Sequence, residues 1–144
     1  MTTEASKTPS PSPLLIAPIA VRWRDLDAYN HVNNSNYLTY LEEARLQWLL
    51  TLDGEWYSAE CAPVMAASQL NYRMPIEWPA QIDVELFCER VGTSSMTVGH
   101  RMVARDDATR IHCDGNVTVV WVNPKTGRPV PLPDAVRNAV TAAA

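Results

Sequence analysis

Basic residues are scarce in this chain: 12 lysines and arginines against 16 aspartates and glutamates leave a formal charge of -4. That balance supplies no basic surface large enough to hold a polyanion, which argues against nucleic acid as a partner. Cysteine is equally sparse. Cys61, Cys88 and Cys113 are odd in number, far apart and set among apolar residues, so they read as buried small hydrophobes and indicate neither a disulfide framework nor a zinc knuckle. His31, His100 and His112 show no ligand spacing, no H-E-x-x-H or C-x-x-C motif accompanies them, and no metal is expected. No apolar run approaches the ~20 residues of a membrane span. Residues 1–13 are rich in Thr, Ser and Pro with a single lysine, unlike an export signal. They read as a disordered lead-in to one domain spanning 14–144, and the protein reads as cytoplasmic. A length of 144 residues, 47% of them hydrophobic, suits one core of modest size.

What the chain does have is a dense polar run, Asp25-Leu26-Asp27-Ala28-Tyr29-Asn30-His31-Val32-Asn33-Asn34-Ser35-Asn36-Tyr37. It packs two carboxylates, one imidazole, four carboxamides and two phenols into thirteen positions. An apolar, β-branched stretch precedes it, and Leu38, Leu41, Ala44, Trp48 and Leu52 follow at helical spacing, so the run sits on a strand-to-helix turn. Unpaired amides at a helix N-terminus carry partial positive charge and can hold a carboxylate or a developing oxyanion.

The remaining periodicities give an order of elements. Residues 15–23 read as a first strand, and Pro18 near its start argues for an edge position or a late strand beginning. A helix over about 34–52, roughly 28 Å long, carries Tyr37, Leu41, Ala44 and Trp48 as one stripe, broadened by Tyr40, Leu49 and Leu52. Residues 64–72 form the next strand. Residues 81–90 alternate cleanly, Ile82, Val84, Leu86 and Cys88 against Asp83, Glu85, Phe87 and Glu89, as expected with one wet face. After a turn at Gly92-Thr93-Ser94, Met96, Val98, His100 and Met102 alternate in a fourth strand, and residues 112–122 close the sheet. The tail from 133 to 144 reads as a short, loosely held helix. The expectation is an α+β fold: a long helix laid across a curved five-stranded antiparallel sheet, its last four strands a meander. An exposed edge in so small a sheet calls for pairing, which predicts a homodimer or a dimer-of-dimers tetramer.

The motif Leu26-Asp27-Ala28-Tyr29-Asn30-His31-Val32-Asn33-Asn34, then Tyr37-Leu38 and Leu41-Glu42-Glu43-Ala44-Arg45, resembles the hotdog-fold acyl-CoA thioesterases. Together with Asn71-Tyr72-Arg73-Met74-Pro75 it is most similar to the long-chain acyl-CoA thioesterase III branch, over residues 21–123. The resemblance implies a helix wrapped by an antiparallel sheet, dimerised into one long sheet with active sites at the dimer interface. The implied activity is hydrolysis of a medium- to long-chain fatty acyl-CoA to free acid and CoA, with no cofactor. It places the catalytic carboxylate at Asp27, as nucleophile or as general base on water, and an oxyanion donor at the Asn34 backbone N–H. Plant relatives use a histidine four residues after their aspartate, which corresponds to His31, although Tyr29 here replaces the asparagine between them.

No Ser-His-Asp or Cys-His arrangement with a recognisable elbow is present, which leaves a carboxylate as the candidate attacking group. Asp25 reads as solvated or salt-bridged, Asn33 as a helix cap and Tyr37 as core. Other hotdog enzymes carry their carboxylate on the helix, where Glu42 stands; Glu42 with Arg45 also makes an ordinary surface pair. The phosphates of coenzyme A need basic or amide-rich contacts, for which Arg73, Arg90 and, in the turn after residue 92, Thr93, Ser94 and Ser95 are the candidates; in the 4-hydroxybenzoyl-CoA thioesterases, a broader resemblance, that hairpin is more basic. Five tryptophans and five methionines are available to line an acyl tunnel or to fill the core. A hotdog hydratase or dehydratase and a non-catalytic acyl-thioester-binding protein are the alternatives.

Overall fold

Strands of period two and one helix of period 3.6 assemble around the apolar stripe described above. The computed structural model describes residues 12–143. The lead-in expected over 1–13 lies outside the described residues up to residue 11. Five strands, β1 (Leu15–Ala20), β2 (Ala62–Tyr72), β3 (Gln81–Val91), β4 (Ser95–Ala104) and β5 (Asp107–Val122), form one antiparallel sheet in the order β1-β3-β4-β5-β2. The helices are α1 (Asn34–Leu49) and α2 (Asp134–Ala143). Pro18 does lie on an edge strand, where its missing N–H breaks no ladder.

The sheet corrects one expectation. Only β3, β4 and β5 form a meander; β2 pairs with β5 rather than with β3. The reason is the connection that follows β2. Residues 73–80, with Pro75 and Pro79, make no tight turn and instead cross the end of the sheet. On the way Arg73 and Met74 donate to the His112 carbonyl, the Ile76 carbonyl accepts from Val32, and the Ala80 carbonyl accepts from Val21.

Three boundaries also shift. The first strand stops at Ala20 instead of Trp23, because Asp25 folds back to accept the Arg22 N–H and closes a 3-10 turn over Trp23–Asp25. The helix ends at Leu49 instead of Leu52: the Thr51 hydroxyl bonds the Trp48 carbonyl at 2.6 Å, and the last carbonyls are taken by a tighter turn. The last strand begins at Asp107, five residues before the expected His112.

α1 buries Tyr37, Tyr40, Leu41, Ala44, Trp48 and Leu49 against Ile82, Val84 and Leu86 of β3, Met96, Val98 and Met102 of β4, and Val117, Val119 and Trp121 of β5. Cys113 is buried as expected, but Cys61 and Cys88 are only half-buried. A register shift between Cys88 and Arg90 ends the clean alternation of β3 there. The tail helix is not loosely held: Val136 and Val140 join the core, and the Arg137 guanidinium donates to the Gly92 carbonyl at 2.9 Å. Glu42 and Arg45 form no ion pair; Glu43 accepts from Gln47 at 3.1 Å instead, and Arg45 is half-buried.

Candidate active site

The Asp27 turn is closed by its own backbone. Leu26 and Val32 bridge, Asp27 N–H donates to the His31 carbonyl at 2.8 Å, and Asn30 N–H donates to the Asp27 carbonyl at 3.1 Å. Reversing direction in so few residues requires φ of 63° at Asn30, a left-handed conformation that asparagine tolerates better than most residues. Asp27 Oδ1 accepts the Tyr29 N–H at 2.8 Å and the His31 N–H at 3.3 Å. Among the described residues Oδ2 has no hydrogen-bond partner. One oxygen of the carboxylate is thus anchored and the other is available for chemistry.

Asp25, two residues earlier, does a different job. It is buried, accepts the Tyr40 hydroxyl at 2.6 Å and the Arg22 guanidinium at 3.2 Å, and its carbonyl accepts from Asn33 N–H and Asn36 Nδ2, both at 2.9 Å. Burial pushes its carboxyl up, but the Tyr40 hydroxyl and the Arg22 amide and guanidinium outweigh that and hold it below the ordinary value. The same contact and burial raise the Tyr40 phenol. Asp25 therefore fastens the turn to α1; of the two expected roles, solvated or salt-bridged, it takes the second, with Arg22 as partner.

Asn33 caps α1: its carboxamide oxygen accepts the Ser35 N–H at 2.9 Å. Asn34 is the first helical residue, and among the described residues its backbone N–H has no acceptor. The helix terminus thus presents a free donor next to Asp27. Asp27, His31, Asn34, Tyr37 and Arg73 line one cavity of about 220 Å³, together with Val32, Tyr72, Met74 and Pro75.

Tyr37 is core, as expected. Its ring meets that of Tyr72 edge-on at 4.9 Å, and burial, with the Cys113 thiol nearby, raises its phenol to about 12. The His31 imidazole does not hydrogen-bond Asp27; its Nε2 lies 3.8 Å from a Glu77 carboxylate oxygen. Arg73 is held by Asp114 through three contacts of 3.0–3.2 Å, and Asn71 Nδ2 donates to the same carboxylate at 3.1 Å. Those donors, Arg73 foremost, keep the Asp114 carboxyl below its usual range.

Arg90, Thr93, Ser94 and Ser95 are not brought to this cavity. β1 ends at Ala20 opposite Gln81, the first residue of β3, whereas the hairpin follows Val91 at its other end. At ~3.3 Å per residue that separation is roughly 30 Å. The hairpin is instead tied to the tail and to β5: the Thr93 carbonyl accepts from Leu132, and the Ser94 carbonyl from Trp121 of β5. A second cavity, about 200 Å³, lies beside the last turns of α1 among Trp48, Leu49, Met65, Met96, Val98 and Trp121. Tyr72, Met74 and Pro75 as walls of the Asp27 cavity carried no signal in sequence beyond the family-like motif that contains them.

The model of the thioesterase-like superfamily matches residues 21–140. The long-chain acyl-CoA thioesterase FadM of Escherichia coli is 29% identical over 121 residues, 83% of this chain and 91% of that protein. The structure of a candidate acyl-CoA thioesterase from Xanthomonas campestris superposes with a TM-score of 0.72 at 50% identity, covering 76% of this chain and 93% of the other. The PA2801 protein of Pseudomonas aeruginosa, a candidate thioesterase, superposes at 0.81 with 39% identity over 90% of this chain and 99% of its own.

Proposed function

This chain belongs to the thioesterase-like superfamily, with the hotdog fold and thioester hydrolase activity of that group, and from that premise we propose that it cleaves medium- to long-chain fatty acyl-CoA at the Asp27 cavity. The observation that carries this reading is the pairing, on one cavity, of a carboxylate with a free oxygen and a helix-terminal N–H with no acceptor. A water activated by Asp27 attacks the thioester carbon, and its proton passes to Oδ2. The carbonyl oxygen becomes an oxyanion, held by the Asn34 N–H and the positive end of α1. Collapse breaks the C–S bond, and the thiolate recovers the proton from Asp27.

His31 stands beside the cavity as a proton-relay candidate for this step, and Arg73 offers an oriented cation to the pantetheine arm. Arg90, Thr93, Ser94 and Ser95 meet a CoA bound here only from a second copy of the chain. A homodimer is part of the reading: β2 is paired on one side alone, and Val64 and Met65 on it are exposed, so joining two β2 edges covers apolar surface and satisfies the free ladder. The apolar cavity beside Trp48 and Met96 suits the far end of an acyl chain.

Asp27→Asn lowers kcat for thiol release about 10²- to 10⁴-fold in a protein that still folds. Full activity in that variant ends the proposal. Hydrolysis in ¹⁸O water under single turnover tests the nucleophile role: label entering Asp27 marks a mixed anhydride opened by water at the aspartyl carbon, an outcome that base catalysis does not produce.

A further inference from the structure

A larger cavity, about 550 Å³, adjoins the Asp27 cavity and shares Pro75 with it as a common wall. It lies between the 75–81 segment and the β4–β5 hairpin and falls in the range of about 300–1,000 Å³ usual for small-molecule sites. His31 of the first cavity and Glu77 of the second stand 3.8 Å apart across the boundary. We infer that this cleft seats the nucleotide end of coenzyme A within the same protomer, with Arg110 and Arg105 taking its phosphates. The inference rests on the acyl-CoA reading above.

The chemistry of the cleft favours a nucleotide over a simple anion. Arg105 is fixed in place: Nε donates to Asp83 at 3.1 Å, Nη1 to Gln81 at 2.8 Å and Nη2 to the Ile82 carbonyl at 3.2 Å. A guanidinium has five N–H groups, so donors are left over in a preset plane suited to phosphate. Arg110 is exposed and, among the described residues, makes no hydrogen bond or ion pair, although the Asp107 carboxylate feels its charge. Glu77 and Asp106 also line the cleft, and their carboxylates are acceptors of the kind that the ribose hydroxyl and adenine amino group of a nucleotide need, apart from its phosphates. His112 also lines the cleft, and its Nδ1 donates to the Met74 and Pro75 carbonyls at 3.2 Å, which fixes the orientation of the ring. Arg73 lines the Asp27 cavity and not this cleft, and Arg90 lies at the far end of β3, so neither competes for this role inside one protomer.

The test compares wild type and Arg110→Ala on one acyl group carried by coenzyme A, by 3′-dephospho-coenzyme A and by N-acetylcysteamine, with calorimetric titration of coenzyme A alone alongside. Losing one charge-assisted contact predicts that the kcat/KM ratio of the coenzyme A ester to the N-acetylcysteamine ester falls about tenfold, through KM, and that free coenzyme A binds about tenfold more weakly. A smaller drop on the dephospho ester assigns Arg110 to the 3′-phosphate, and an equal drop assigns it to the diphosphate; both support the seat. An unchanged ratio with unchanged binding overturns it, as does an effect of that size from Arg90→Ala in place of Arg110→Ala. A wild type that binds coenzyme A through Arg110 and hydrolyses no thioester refutes the catalytic reading while leaving the seat standing.

Discussion

Asn34→Pro tests a single hydrogen bond of the proposed chemistry, because the substitution removes a backbone donor that the fold does not use. Asn34 is the first helical residue of α1, the position at which proline is tolerated, since the N–H lost there has no partner inside the helix. The cap before it, Asn33, has φ -61° and ψ 139°, the extended conformation that a residue preceding proline prefers. Among the described residues the Asn34 N–H has no acceptor, while the Ser35 and Asn36 amides that fasten the cap are untouched. The helix therefore keeps its bonds and the cavity loses its donor. One oxyanion donor contributes about 10²- to 10³-fold in kcat, roughly 2.7–4 kcal/mol of transition-state stabilisation. The comparison variant is Asn34→Ala, which discards the carboxamide and keeps the N–H. Thiol release at saturating acyl-CoA should drop by two to three powers of ten in the proline variant and stay close to wild type in the alanine variant, with thermal unfolding unchanged in both. A proline variant that is folded and as fast as the alanine variant refutes the role of this amide.

Tyr40→Phe removes the hydroxyl that bonds the buried Asp25 carboxylate and should cost about 1.5–3 kcal/mol at neutral pH by denaturant unfolding. Asp25 is held below 3.8 in the folded protein, so its contribution is present above that value and is lost as the pH falls through the folded pKa; the gap between Tyr40→Phe and wild type should close in acid. His100 is buried, with no partner for Nε2 among the described residues, and burial, then the Arg45 charge, lower its pKa to about 4 against an opposing pull from Asp114. The unfolded chain takes up a proton near 6.5 that the folded chain refuses until about 4, so stability should decline between those values in wild type. His100→Met should flatten that decline in a pH series of unfolding midpoints. Leu41→Ala, at a fully buried position of the α1 stripe, should cost about 2–5 kcal/mol, measured by the same unfolding.

The periodicities of the chain carried the element types almost unaided, because hydrophobic spacing is a local record of which face is buried. The α1 stripe, the alternation of β3 and the edge position of β1 all follow from residues a few places apart. Connectivity was less legible. That β2 lies beyond β5 depends on where residues 73–80 go, and that path is set by hydrogen bonds to Val32, Val21 and His112, residues distant in sequence.

The same division runs through the site. The thirteen-residue polar run marked the turn and the Asn33 cap, since turn and cap chemistry act over two to four positions, whereas the roles proposed for Asp27 and Asn34 came from the family resemblance. The burial of Asp25 under Tyr40, the orientation of His31 toward Glu77, the removal of the β3–β4 hairpin from the Asp27 end and the cleft around Arg110 came only with the tertiary structure. Each depends on which strand ends are neighbours, a long-range property that no local spacing encodes.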